Sequence, residues 1–340
     1  MTRWTPPPFR PAPGLANPHV QTIAGKLLRP DLGLPLWRER LETPDGDFVD
    51  LDFAFDPDDR AQPDAPVVVL LHGLEGSARR RYMQHTYRGL LGRGLRPLGL
   101  NFRGCSGEPN RTARAYHSGE TGDLRLVLDT LAARYPDAPR AVVGYSLGGN
   151  VVLKFLGEEG GTVGSGPETC ARVAAGAAVS VPFDLAAGAR ALEDSRIGRA
   201  IYTRYFMRTL VPKTLARSDV LPRTVDLARV RRARTIREFD DAVTAPLHGF
   251  DSAADYYARS SSAGFLADIA VPTLVVHSRD DPFLPASAIP ESALEANPAI
   301  TAVLTDRGGH QGYVAGTIVR PEFWVEGVVA EWLGPLLRQG

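Results

Sequence analysis

A mostly parallel, doubly wound α/β sheet carrying a helical insertion is predicted by three features of the sequence. Short unbroken apolar runs recur along the chain, each closed by glycine and followed by a segment of helix length. Strands buried on both faces read this way, because parallel strands need crossover helices that cover the sheet. A β-hairpin pattern precedes the first run, so the sheet is expected to open antiparallel. The alternation then lapses between Val181 and Val271, roughly ninety residues where a crossover ordinarily takes about a dozen to thirty.

Taken in order, residues 1–35 carry many prolines and little periodicity, which predicts an irregular arm lying over the fold. The stretch 36–43 and the alternating Val49, Leu51, Phe53 and Phe55 flank the turn Pro44-Asp45-Gly46-Asp47 and make the hairpin. Buried strands are expected at 67–71, 97–102, 141–143, 174–181, 272–277 and 300–304, with helices over 122–135 and 149–158 among those between them. Residues 157–166 read as a glycine-rich loop. Aromatic and basic helical pattern, 201–207 included, fills the long gap and predicts a helical cap over 184–266, set into a core formed by 1–183 and 267–340.

At 340 residues, 44% hydrophobic and 23% charged, the composition is that of a globular protein with room for a sizeable core. Lys plus Arg and Asp plus Glu balance at 39 each, so no long-range field draws the chain to nucleic acid or an anionic membrane. Arg229, Arg231, Arg232, Arg234 and Arg237 read as the wet face of a cap helix, and Arg79-Arg80-Arg81 as a solvated helix start. Cys105 and Cys170 have neither metal-ligand spacing nor the density of a disulfide scaffold, so two free thiols in a reducing compartment, the cytoplasm, are expected. No apolar run is long enough for an integral membrane segment or a signal peptide. His19 and His117 lack carboxylates or cysteines at metal spacing and read as hydrogen-bonded structural histidines, so no metal is expected.

Gly144-Tyr145-Ser146-Leu147-Gly148 lies between a predicted strand and a predicted helix, the context of a nucleophile elbow. Such a turn strains the backbone at serine and leaves no room for side chains two residues away, hence glycine on both flanks. His72-Gly73-Leu74-Glu75-Gly76 ends the strand expected beside it, where the backbone N–H groups of Leu74 and Leu147 could form an oxyanion hole. His72 itself reads as a loop tie. Asp280-Asp281-Pro282-Phe283-Leu284-Pro285 and Gly308-Gly309-His310-Gln311-Gly312 each follow a predicted strand, and open α/β sheets place their sites at such strand ends. The order Ser146, Asp281, His310 is the order of a Ser-Asp-His triad on this kind of sheet. Asp281 is preferred over Asp280 for the acid-proline-x-aliphatic-proline run that follows it, and Asp280 is left as a capping or supporting residue.

The segments Asn17-Pro18-His19-Val20-Gln21-Thr22, His72-Gly73-Leu74-Glu75-Gly76-Ser77, Asn101-Phe102-Arg103-Gly104, Tyr116-His117-Ser118-Gly119, the elbow with Gly149-Asn150, and Phe239-Asp240-Asp241 are distinctive as a set. In them the chain resembles the YheT-like group of α/β-hydrolases, relatives of plant embryogenesis-associated esterases and animal hydrolase-domain lipases. The resemblance implies an α/β-hydrolase fold, carboxylic-ester hydrolysis with Ser146, Asp281 and His310 at the triad positions, and no cofactor. The expected partner is a small-molecule ester, with acylglycerols and other lipid esters among the candidates. Acyl transfer and thioester cleavage would use the same triad, and a fold that kept its shape and lost turnover would be a binding protein. Dehalogenase chemistry is disfavoured, since it would want a carboxylate where Ser146 stands. Tyr202, Tyr205 and Phe206 read as cap packing.

Overall fold

The computed structural model describes residues 4–59, 62–161 and 173–338. An N-terminal helix α1 (Pro18–Leu28) precedes the hairpin β1 (Trp37–Glu42) and β2 (Phe48–Phe53). There follow β3 (Val67–Leu71), α2 (Arg81–Leu91), β4 (Arg96–Asn101), α3 (Gly122–Arg134), β5 (Arg140–Tyr145), α4 (Leu147–Gly161) and β6 (Ala175–Val179). Helices α5 (Leu185–Asp194), α6 (Arg204–Leu215), α7 (Leu227–Arg232), α8 (Ile236–Phe239), α9 (Ala245–His248) and α10 (Ala253–Ser260) come next, before β7 (Thr273–Ser278). The chain closes with α11 (Glu291–Ala296), β8 (Ile300–Thr305), a small hairpin of β9 (Val314–Gly316) and β10 (Pro321–Phe323), and α12 (Trp324–Arg338).

Eight strands form one sheet in the order β1-β2-β4-β3-β5-β6-β7-β8. Strand β2 runs antiparallel to β1 and β4, and the neighbours from β4 to β8 are parallel. The chain steps from β3 outward to β4 and then returns past β3 to β5, so the winding direction reverses between β3 and β5. Ligand sites of open α/β sheets form at the strand C-termini beside such a reversal. Leu71 pairs with Gly144 there, which sets the loop after β3 against the turn after β5.

The parallel strands are buried because helices cover both faces. Val67, Val69 and Leu71 face a cluster with Leu124, Leu128 and Leu131 of α3 and Val151 and Phe155 of α4. Val68 and Leu70 face Met83, Tyr87 and Leu90 of α2 and Val325, Val329 and Leu333 of α12. Each large aliphatic side chain so buried contributes roughly 2 kcal/mol. Every predicted strand is present, with ends moved by one or two residues. Among the described residues, no helix is long and apolar enough to cross a membrane.

Two local expectations need correction. The arm over residues 1–35 holds an 11-residue helix. Asn17 caps it, accepting from His19 N–H at 3.0 Å and Val20 N–H at 3.2 Å, with Pro18 at the first helical position. Only Gln21, Ala24 and Gly25 of α1 are buried, so its apolar stripe is too narrow to show as periodicity. The glycine-rich stretch 157–166 is helical as far as Gly161, and its remainder lies outside the described residues. A Cβ on Gly160 would stand 1.7 Å from the Asp268 carbonyl oxygen, so that glycine permits a close approach of chains rather than a loop. Cys105 is a half-buried free thiol, and Cys170 lies outside the described residues. Arg79 pairs with buried Asp52 at 3.0 Å, whereas the five arginines from Arg229 to Arg237 are exposed.

Five of the seven histidines are held neutral by burial, with His72, His85, His248 and His277 pushed down to about 4 and His117 to about 3. The unfolded chain protonates these rings near pH 6.5, where the folded chain does not. Their contribution is therefore complete above about pH 6.5 and is lost as the pH falls toward 4. Stability from urea unfolding should drop between pH 7 and 5 by on the order of 1 kcal/mol per histidine per pH unit. Unfolding midpoints that stay flat across that range would contradict this.

Candidate active site

Ser146 stands in the one-residue turn between β5 and α4 with φ of +53°. The turn is tight because both neighbours two residues away are glycine. A Cβ on Gly144 would lie 2.2 Å from the Gly148 carbonyl oxygen, and one on Gly148 would lie 2.5 Å from that of Leu71. The Ser146 N–H donates to Val179 O at 2.8 Å, which ties the turn to β6. Helix α4 begins at Leu147, two residues earlier than predicted, so the Leu147 N–H is one of the donors at a helix start that has no partner within the helix.

His310 lies in the loop after β8, with its Nε2 2.9 Å from Ser146 Oγ. Its Nδ1 lies 2.8 Å from Asp281 Oδ2. A carboxylate can only accept here, so Nδ1 carries the proton and the Nε2 lone pair faces the serine hydroxyl. Burial alone would raise the Asp281 carboxyl. The neighbouring His310 and its hydrogen bond outweigh that, with His277 and the Phe283 N–H adding to them, and hold Asp281 below its usual range. It is therefore ionised at neutral pH. The adjacent acid points elsewhere: Asp280 Oδ1 accepts from the Gly309 N–H at 2.9 Å and from Ser278 Oγ. Asp281 reaches the imidazole and Asp280 holds the loop that bears it.

The His310 loop is fixed from several sides. Its own N–H donates to Thr22 Oγ1 at 2.8 Å, and the Gln311 N–H to Ser180 Oγ at 3.0 Å. Arg29, which pairs with Glu326 inside the protein, donates to the Gln311 and Gly312 carbonyls. The Phe283 ring stacks on His310 with centroids 4.0 Å apart and planes 7° from parallel. Sequence reasoning assigned no role to Thr22, Ser180, Arg29 or Phe283. Thr22 and Phe283 sit within segments singled out for other reasons, while nothing in the local sequence marks Ser180 or Arg29.

The loop after β3 touches the elbow, for a Cβ on Gly73 would come within 3.3 Å of Ser146 Cβ. His72 is buried, donates from Nδ1 to the Gly73 carbonyl at 2.8 Å and accepts the Phe102 N–H at Nε2. It ties the loop down. The Gly73 N–H donates to Tyr82 Oη, that of Glu75 to Tyr116 Oη, and that of Gly76 to Gly73 O. Among the described residues the Leu74 N–H alone in this stretch has no partner. A cavity of about 120 Å³ opens beside Leu74 and Leu147, walled by Leu210, Ile236, Phe239 and Val243 from the segment between β6 and β7.

Other singled-out residues lie around this centre. His19 Nδ1 meets Tyr202 Oη at 3.0 Å, and Tyr202 and Phe206 pack with Leu192 against Phe283. His117 Nδ1 accepts from the Gly119 N–H. Asp240 is buried against Thr244 and Tyr257, and burial raises its carboxyl to about 6. No group of three or more His, Cys, Asp or Glu among the described residues is placed to hold a metal ion.

Comparison with known proteins follows the same lines. A family model described as the alpha/beta hydrolase fold matches residues 66–316. The chain is 38% identical over 332 residues to YheT of Escherichia coli (strain K12), whose name carries the word esterase, covering 97% of this chain and 94% of that one. It is 30% identical to human phospholipase ABHD3 over 89% of this chain and 72% of that protein. The esterase Pf2001 of Pyrococcus furiosus shares the fold at a TM-score of 0.56, with 16% identity and 98% and 99% of the two chains covered. With the family model spanning most of its length and YheT matched nearly end to end, the chain belongs to the α/β-hydrolase family and, within it, to the YheT-like group.

Proposed function

We propose that the protein is a carboxylic-ester hydrolase that works through an acyl-enzyme on Ser146, with His310 as general base and Asp281 orienting that histidine. The unbroken hydrogen-bonded relay from Asp281 through His310 to Ser146 carries this reading. In it, Nε2 takes the Ser146 proton as Oγ attacks the ester carbonyl carbon. Charge gathers on the carbonyl oxygen, where the Leu74 and Leu147 N–H groups receive it. The imidazolium, steadied by the Asp281 carboxylate, returns its proton to the leaving alcohol. Water then enters, gives its proton to the same Nε2 and releases the acid.

The acyl chain occupies the cavity beside Leu74 and Leu147, and residues 184–266 act as a cap that supplies its apolar wall. That wall suits an alkyl chain; the name of YheT says only esterase, while that of ABHD3, phospholipase, points toward esters with lipid-type acyl groups. The Leu210→Trp variant fills the wall from α6. It should cut kcat/KM on nitrophenyl octanoate by about tenfold or more while leaving the acetate within about threefold, since filling a site costs a few kcal/mol only where the chain reaches it. Equal losses on both esters would place the acyl chain elsewhere.

The two adjacent acids separate the triad from its support. Asp281→Asn should lower kcat on nitrophenyl butyrate by about 10⁴-fold, because the amide favours the wrong histidine tautomer. Asp280→Asn keeps an acceptor for the Gly309 N–H and should cost less than about tenfold. A fluorophosphonate probe should label the wild type and not Ser146→Ala. The reverse order of the two acids, or labelling that survives Ser146→Ala, would refute the assignment.

A further inference from the structure

The turn that presents Leu74 is closed by a residue poorly suited to it. The Gly76 N–H bonds back to the Gly73 carbonyl at 2.9 Å, with Glu75 in the third position of the turn at φ of +53°. Glycine takes such a backbone without cost, whereas a residue with a Cβ is strained there by about 1 kcal/mol or more. The side chain of Glu75 explains why glycine does not stand in its place. Tyr116 Oη accepts the Glu75 N–H at 2.9 Å and donates to Glu75 Oε1 at 2.8 Å, grasping the residue at both ends. Lys213 Nζ donates to the same carboxylate oxygen at 3.1 Å and to Cys105 Sγ at 3.4 Å. The Tyr116 ring is set in turn by stacking on Phe102, with centroids 5.2 Å apart and planes 9° from parallel.

This clamp bears on the direction of one N–H bond. In a trans peptide the carbonyl and the following N–H point opposite ways. The Gly73 carbonyl receives the Gly76 N–H and His72 Nδ1–H, so the Leu74 N–H is turned away from both, on a loop whose Gly73 abuts Ser146. A type I turn would close the same Gly76 bond with negative φ at Glu75, but only by flipping the Leu74–Glu75 peptide and pulling the Glu75 N–H away from Tyr116 Oη. We infer that Tyr116 and Lys213 are positioning residues: by clamping Glu75 they hold the Leu74 N–H in line for the oxyanion, and Lys213, carried on α6, makes that alignment depend on where the capping segment sits.

The charge on Lys213 is well supported. Burial works against it, but Cys105 and Glu75 more than offset burial and keep the ammonium protonated. The Glu75 side chain is 7% exposed and that of Lys213 is 32% exposed, so the pair is only partly screened by water. Neither residue touches the triad. Both line the cavity beside Leu74 and Leu147, so the split between kcat and KM separates an effect through the backbone from one on acyl binding.

This inference rests on the ester-hydrolase reading, and its test separates the two. Lys213→Met, Tyr116→Phe and Glu75→Gln are compared with wild type for kcat and KM on nitrophenyl butyrate and for the rate of fluorophosphonate labelling, with labelled sites counted so that only folded enzyme enters. Loss of a whole oxyanion donor costs 10²- to 10³-fold, so a misdirected one should lower kcat and the labelling rate by about 10- to 100-fold with KM within about threefold. Lys213→Arg, which still reaches the carboxylate, should recover most of the rate. An active wild type whose variants keep kcat and labelling rate within about threefold, or lose activity through KM or folded fraction alone, overturns the clamp. A wild type that neither labels nor turns over overturns the hydrolase reading and the clamp with it.

Discussion

The site depends on one hydrogen bond, 2.9 Å between His310 Nε2 and Ser146 Oγ, made by residues from different strand ends of the sheet. Ser146 follows β5 and His310 follows β8, with β6 and β7 between them. For the imidazole to reach back across two strands its loop must be immobilised, and main-chain bonds do most of this. The end of β6 contributes Ser180, the end of β7 contributes Asp280, and the N-terminal helix contributes Thr22. Hydrogen bonds to charged groups contribute about 1.5–3 kcal/mol each, so the contact to ionisable Asp280 outranks the two hydroxyls. The arm read from sequence as irregular is thus part of what holds the His310 loop.

Positive φ at residues other than glycine marks the same region. Among the described residues it occurs at Glu75, Ser146, Ser180, Gln311 and Tyr313, all within the loops that follow β3, β5, β6 and β8. Strain of this kind persists only where surrounding contacts over-determine it. Those contacts are visible at Ser146 in the glycine-lined turn, at Glu75 in the clamp with Tyr116 and Lys213, and at Gln311 in the bonds to Ser180 and Arg29. Electrostatics follow the same economy. Buried His72 and His277 are held neutral, so Asp281 is the ionised group next to the His310 imidazole, and Phe283 covers one face of that ring.

Much of this was legible in the residues. Apolar runs located every strand of the parallel sheet because burial on both faces leaves no room for polar alternation, and glycine on both sides of Ser146 announced a turn without space for side chains. Preference for Asp281 over Asp280 followed from the proline run after it, and the structure turns Asp281 to the imidazole. Helix α1 was missed despite its Asn17-Pro18 start, since a helix burying three residues shows almost no period. The supports of the His310 loop were not legible, because Ser180, Arg29 and Thr22 act through contacts between segments far apart in the chain. Glu75 lay in the segment expected to form an oxyanion hole, yet its partners Tyr116 and Lys213 come from other elements altogether.

Transfer of the acyl group to an imidazole-activated hydroxyl is tested by mixing the enzyme with nitrophenyl acetate in a stopped-flow instrument, quenching in acid and mapping the peptides. A burst of nitrophenol close to one equivalent per enzyme is expected when deacylation is slow, with the acetyl group on the peptide containing Ser146. Acetyl found on another residue, or turnover with no acylated peptide under conditions that show a burst, would contradict it.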